Sequence, residues 1–212
     1  MASFDTAGSD VFKEEWIKYG DEPQEGSYYI ACDLAGFEEV ARQASNSRKR
    51  LDESAIAVVK VTDDGKWWVK KIEHGRWDIK ETASKILTAI RDFRPISVGI
   101  ERGALKNAVL PYLSDLMRNY NVYSHIVDLT HGNRKKTDRV IWALQGRFEH
   151  GRVVLNSDED FDEFVDQLLM FPAQGVHDDL PDALSYIDQL AITSYFEDQQ
   201  DNWSPIDVVA GV

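Results

Sequence analysis

Three carboxylates, Asp178, Asp179 and Asp182, fall within five residues of the stretch Val176-His177-Asp178-Asp179-Leu180-Pro181-Asp182-Ala183-Leu184. The apolar residues beyond them, Ala183, Leu184, Ile187, Leu190 and Ala191, recur at helical spacing. A helix therefore begins here with one face turned inward. Asp179 and Asp182 are three residues apart and share a face. Two roles suit them. Asp179 can cap the helix, with Asp182 completing a capping-box-like first turn and Pro181 tolerated beside it. Alternatively, the cluster can hold a divalent metal, which takes hard oxygen ligands.

Two more carboxylates stand at the ends of apolar runs. Asp33 closes the core of a strand over Tyr28–Gly36, and Glu101 follows the short strand Ile96–Ile100. Each has a local alternative: Asp33 can bond into the turn at Leu34-Ala35-Gly36, and Glu101 can pair with Arg102. Strand ends of an α/β sheet gather at one edge, where sites form. One metal site explains all four positions together. Hydrolysis of a phosphodiester needs an activated water and a stabilised leaving oxygen, which two Mg²⁺ ions about 3.5–4 Å apart can supply. No Cys pair or His pair at zinc-ligand spacing competes.

The elements that must position these groups read clearly. Ser54–Thr62 and Lys66–His74 form a hairpin around Asp63-Asp64-Gly65. Helices are expected over Asp78–Phe93, Leu105–Tyr120, Arg134–His150 and Asp158–Met170, and extended segments over Val122–Val127 and Val153–Leu155. The order gives an α/β fold: an antiparallel meander of three strands, then parallel strands joined by right-handed crossovers. Residues 1–26 read as a linker or boundary segment with a short helical piece near Val11–Tyr19. The folded domain runs over 27–196, and 197–212 form a polar tail.

The 212 residues suffice for a sizeable core. No apolar run approaches a membrane span, and the start lacks the apolar region of a secretory leader. The lone Cys32 excludes an internal disulfide and reads as a small buried strand residue. A net charge of −13 argues against a general nucleic-acid coat protein, though not against a nuclease built on carboxylates.

This pattern resembles the ribonuclease H-like superfamily: an Asp on the first strand, a Glu ending the fourth, and an Asp opening a late helix. Within it, His177-Asp178-Asp179-x-x-Asp182-Ala183-Leu184 is similar to the closing motif of phage terminase large subunits, motors with an N-terminal ATPase and a C-terminal nuclease. Phe12-x-x-Glu15-Trp16-x-x-x-Tyr19 resembles the segment joining those domains. Lys136-Thr137-Asp138-Arg139 and Phe148-Glu149-x-Gly151-Arg152-Val153 resemble the stretch before an extended strand. The likeness covers Val11 to Phe196. It departs in lacking a GxxxxGK[ST] phosphate loop, so it implies a nuclease domain excised from its motor, or a stand-alone relative.

The resemblance implies a metal-dependent endonuclease that cuts double-stranded viral DNA during packaging, in the host cytoplasm, with Mg²⁺ or Mn²⁺ (two ions). Asp33 would bridge the ions, Glu101 would hold the second, and Asp179 and Asp182 the first. Asp178 would ligate or orient, and His177 would assist with a water or the scissile phosphate. Implied partners are the ATPase domain, the small terminase subunit and the portal. Basic residues would grip phosphates without reading sequence. Arg134, Lys135, Lys136 and Arg139 are the favoured run because they open a helix, Arg48, Lys49 and Arg50 are a second, and Arg102 is a further candidate. Trp67, Trp68 and Trp142 read as core or sheet packing. Three other readings stand beside this one: a junction-resolving nuclease, an actin-like nucleotide-binding protein, and a non-catalytic docking module.

Overall fold

A computed structural model describes residues 11–35, 53–130, 132, 135–173 and 177–191. Arg48, Lys49, Arg50, Arg134 and the expected tail lie outside the described residues. Seven strands form one sheet: β1 (Tyr19–Gly20), β2 (Ser27–Asp33), β3 (Ser54–Val61), β4 (Trp67–Gly75), β5 (Ser97–Glu101), β6 (His125–Leu129) and β7 (Val153–Asn156). Their order across the sheet is β1-β7-β4-β3-β2-β5-β6. The β2–β3 and β3–β4 pairs are antiparallel and the other four are parallel, as the element order requires.

Among the described residues, five α-helices flank the sheet: α1 (Ile79–Phe93), α2 (Ala104–Tyr120), α3 (Lys136–Glu149), α4 (Asp162–Met170) and α5 (Asp179–Ser185). The expected hairpin closes at Gly65, whose φ of 79° suits a residue without a Cβ. Asp78 caps α1 by accepting the Glu81 N–H at 2.8 Å. Arg94, in the left-handed region, ends that helix just before Pro95.

Strand alternation sorts the core into two faces. Ile30, Cys32, Ile56, Val58, Val98 and Ile100 point to the face covered by α1 and α2, where they meet Ala83, Ile86, Ile90, Val109 and Leu113. Tyr29, Ala31, Ala55, Ala57 and Val59 point to the other, under Val140, Leu144, Phe164, Leu168, Leu180 and Ala183. The alanines on this second face leave room for α5, which packs against β2 and β3. Gly99 serves the same face: a Cβ there would meet Leu129 Cδ2 at 2.6 Å. Cys32 is fully buried in β2, as expected.

Three expectations shift. The Val11–Tyr19 segment holds a 3₁₀ turn, Glu14–Trp16, and does not stand outside the core. Phe12 is buried between Phe148 and Phe171, with ring centroids at 6.0 and 6.2 Å, and Tyr19–Gly20 adds an edge strand to β7. β6 starts at His125 rather than Val122, because the Val122 N–H is spent on Met117 O in closing α2. Trp67 and Trp68 are buried, but Trp142 is 72% exposed. It falls between the inward positions Val140, Ala143 and Leu144 of α3. No helix among the described residues is long and apolar enough to cross a membrane.

Candidate metal centre

Strand parity places the first two carboxylates together. β2 and β5 run parallel with Cys32 opposite Ile100, so Asp33 and Glu101 are the next residues on adjacent strands. Both share the face of Ala31 rather than that of Cys32 and Ile100, which pack under α1 and α2. α5 delivers the others over the same face. Asp182 is 2% exposed and Asp179 is 8% exposed, far below what an unpartnered carboxylate tolerates.

The capping alternative does not hold. Asp178, not Asp179, sits at the N-cap position, and its side chain makes no capping bond. Asp179 and Asp182 are in the first turn, with their side chains engaged elsewhere. Asp179 Oδ2 accepts the Glu53 N–H at 3.3 Å and lies 3.5 Å from His177 Nδ1. The Glu101–Arg102 pair expected as an alternative is replaced as well: Arg102 bonds Asp128 at 3.1 and 3.3 Å, and Lys106 bonds the same carboxylate.

Burial pushes the Asp33 carboxyl well above its usual range; Asp182 and a hydrogen bond with Glu101 add to the rise, and Lys136 opposes it. Carboxylates crowded this way disfavour one another's charge, and a cation among them relieves the repulsion.

Two cations are built in. Lys136 Nζ stands 2.8 Å from Asp178 Oδ1, 3.2 Å from Asp182 Oδ2 and 3.8 Å from Asp179 Oδ1. Arg139 bonds Asp182 Oδ1 and lies over the Tyr186 ring, 4.4 Å from its centroid. The spacing is complementary: Lys136 and Arg139, one turn apart on α3, face Asp179 and Asp182, one turn apart on α5. Burial lowers the Lys136 ammonium, but Asp182, Asp178 and Asp33 outweigh it and the net shift is upward. Burial and Asp182 likewise raise the Tyr186 hydroxyl.

The basic run is therefore divided. Lys136 and Arg139 turn into the nest, Lys135 is exposed, and Arg134 lies outside the described residues. Arg102 sits exposed beside Glu101, paired to Asp128. Sequence reasoning missed that α3 supplies counter-charges; the signal was the matched Lys-x-x-Arg and Asp-x-x-Asp spacing. It also missed Glu53, which holds Asp179 through its backbone and follows no motif. The carboxylates offer oxygen donors only, and the raised Asp33 carboxyl reflects its burial and the negative charge crowded around it. Both fit Mg²⁺ or Mn²⁺.

The sheet order, mixed pairing and flanking helices define a ribonuclease H-like fold. Solved structures with this fold include nuclease domains of phage large terminases. The large terminase of one thermophilic bacteriophage superposes with a TM-score of 0.55 at 13% identity, covering 86% of this chain and 44% of that one. This chain thus spans less than half of that protein. The large terminase nuclease of another thermophilic phage, G20c, gives 0.54 at 14% identity over 84% of this chain and 96% of that one. Its cobalt-bound form gives 0.56 at 14%, over 85% and 96%. No protein-family model matches the chain, and no curated protein matches its sequence.

Proposed function

We propose that this chain is a divalent-metal-dependent endonuclease that cuts double-stranded DNA with little sequence preference, as the nuclease part of a genome-packaging terminase. The observation that carries this reading is that Asp33 hydrogen-bonds Glu101 and feels the charge of Asp182, while Lys136 links Asp182 to Asp179. A fold shared with large terminase nucleases supports it.

Asp33 would bridge two ions, Glu101 would hold one, and Asp179 and Asp182 the other, with Asp178 at the rim. Bound there, Mg²⁺ or Mn²⁺ would generate the attacking hydroxide and stabilise the departing oxygen. Arg139 keeps Asp182 oriented through Oδ1. Lys136, within reach of Asp178, Asp179 and Asp182, would offer its ammonium to a phosphate oxygen of bound DNA. His177, 3.5 Å from Asp179, would assist with a water or the scissile phosphate. Lys135, Arg102 and Arg134 would add phosphate contacts, which position DNA without reading sequence. With a net charge of −13, strong DNA grip must come from partners. A motor ATPase domain, a small terminase subunit and a portal in the host cytoplasm are the partners this reading entails.

Side-by-side digestion of linear duplex and four-way junction DNA tests the substrate class. Equal or preferred cutting of the linear duplex is expected. Selective, symmetric cutting of the junction would move the assignment to a junction resolvase.

A further inference from the structure

The same sheet face carries a second cluster two strands from the first. Asp33 on β2 pairs with Ala55 on β3, and Ala55 pairs with His74 on β4. His74 therefore shares the face of Ala55 and Asp33, about 10 Å from Asp33 across two strand spacings. Its imidazole is held between two carboxylates. Nδ1 is 2.8 Å from Glu53 Oε2, and Nε2 is 3.4 Å from Glu163 Oε2.

A neutral imidazole has one N–H. If Nδ1–H donates to Glu53, the Nε2 lone pair faces the Glu163 carboxylate. Two lone pairs so placed repel unless a proton or a metal ion lies between them. The arrangement matches the way metal-ligating histidines are built, with one nitrogen oriented by a carboxylate and the other left for the ion. The 3.4 Å gap also matches the ligand-to-ligand edge of a tetrahedral site, about 3.3–3.4 Å for bonds of about 2.0–2.1 Å. Ligand atoms of Glu53, His74 and Glu163 all lie within 4.8 Å of one another.

Space is present on the open side. A cavity of about 150 Å³ is lined by His74, Glu163 and Asp160 together with Ile72, Phe161 and Phe164. Asp160 lines the same cavity, with its Oδ1 accepting the Asp162 N–H at 2.9 Å. Arg76 lines the neighbouring cavity with Glu53, Glu163 and Asp179.

We propose that His74 Nε2 and Glu163, with Glu53 behind the ring and the cavity open to water on the far side, form a second divalent-metal site that takes a nitrogen-accepting ion of the Zn²⁺, Co²⁺ or Mn²⁺ class. The oxygen-only nest prefers Mg²⁺, whereas this donor set favours borderline metals. The site would act as a brace. Glu53 holds Asp179 through its backbone N–H, and Gln167 of α4 accepts the Leu180 N–H at 3.1 Å. An ion joining β4, α4 and Glu53 would fix both supports of the Asp179 turn. This site does not depend on the nuclease assignment.

Co²⁺ titration of the full chain, followed by visible absorption and by melting temperature, tests it in the Asp33→Asn/Asp182→Asn double variant, where the nest is disabled. One equivalent of Co²⁺ giving d–d bands, with a melting temperature raised by several degrees, is expected. Adding Glu163→Gln, at an accessible helix position, should abolish the bands and the shift. Adding His74→Gln should do the same. Absence of Co²⁺ binding in the double variant would overturn the proposal and leave a proton alone between His74 and Glu163. Binding that survives both Glu163→Gln and His74→Gln would also overturn it.

Discussion

Lys136 Nζ lies 3.2 Å from Asp182 Oδ2, on the one oxygen of that carboxylate that Arg139 does not occupy. The nest thus contains an ammonium where a metal ligand oxygen would otherwise be open. On the proposed reading this lysine would compete with a metal ion for the carboxylates, and a phosphate that attracts it would relieve the competition.

Lys136→Met should therefore tighten Mn²⁺ binding by about two- to fivefold, the equivalent of roughly 0.5–1 kcal/mol for a partly exposed ion pair. Isothermal titration calorimetry at constant pH checks this. Weaker binding in the variant would show that Lys136 supports the ion rather than displacing it.

Asp33 gives a pH signature. Its raised carboxyl means that the folded chain keeps a proton which the unfolded chain releases above about pH 4. The stability tied to that proton is present in acid and lost as pH rises through the raised value. Asp33→Asn, which mimics the protonated form, should match the parent near pH 4 and melt higher than it near pH 8 without metal. Saturating Mg²⁺ should reverse the order at pH 8. Parallel melting curves at all pH values would contradict the crowding inferred at Asp33.

Arg139 and Asp182 are both buried, so removing the guanidinium leaves Asp182 with only the partly exposed Lys136 as a cation and empties the space over the Tyr186 ring. Arg139→Gln should cost about 3–5 kcal/mol. Thermal melting should register a fall of roughly 10 °C, at about 2–4 °C for each kcal/mol in a chain of this size. A loss under about 2 °C would mean that solvent reaches Asp182.

Phe12 tests whether the N-terminal segment belongs to the folded unit. Phe12→Ala should destabilise by about 3–5 kcal/mol, the usual cost of emptying a buried aromatic site. Urea denaturation measures it. A change below about 1 kcal/mol would place the segment outside the cooperative fold.

Much of this was legible because it depends on local chemistry. The hairpin followed from Asp63-Asp64-Gly65, α1 from its apolar spacing and Pro95, and the β-β-β-α-β-α-β order from successive changes of period. Asp33 and Glu101 stood out because carboxylates seldom follow buried strands. What stayed hidden depends on tertiary register. Only the in-register β2–β5 pairing brings Asp33 beside Glu101, and only the packing of α3 on α5 turns Lys136 and Arg139 away from solvent. The same reasoning misread Phe12, whose polar neighbours masked its burial, and Trp142, whose size suggested a core that its helical position denies it. His74 carried no motif, since its partners Glu53 and Glu163 come from distant segments.

The central claim, a metal-dependent nuclease centred on Asp33 and Asp182, is tested most directly on supercoiled plasmid. Nicking and linearisation are followed with Mg²⁺, Mn²⁺ or EDTA for the parent chain, Asp33→Asn and Asp182→Asn. Cutting with metal, none with EDTA, and a loss of at least about 100-fold in both variants is the expected result, consistent with the weight a metal carries in such hydrolysis. Cutting that persists in EDTA, cutting that survives both substitutions, or no cutting with either metal would contradict the claim.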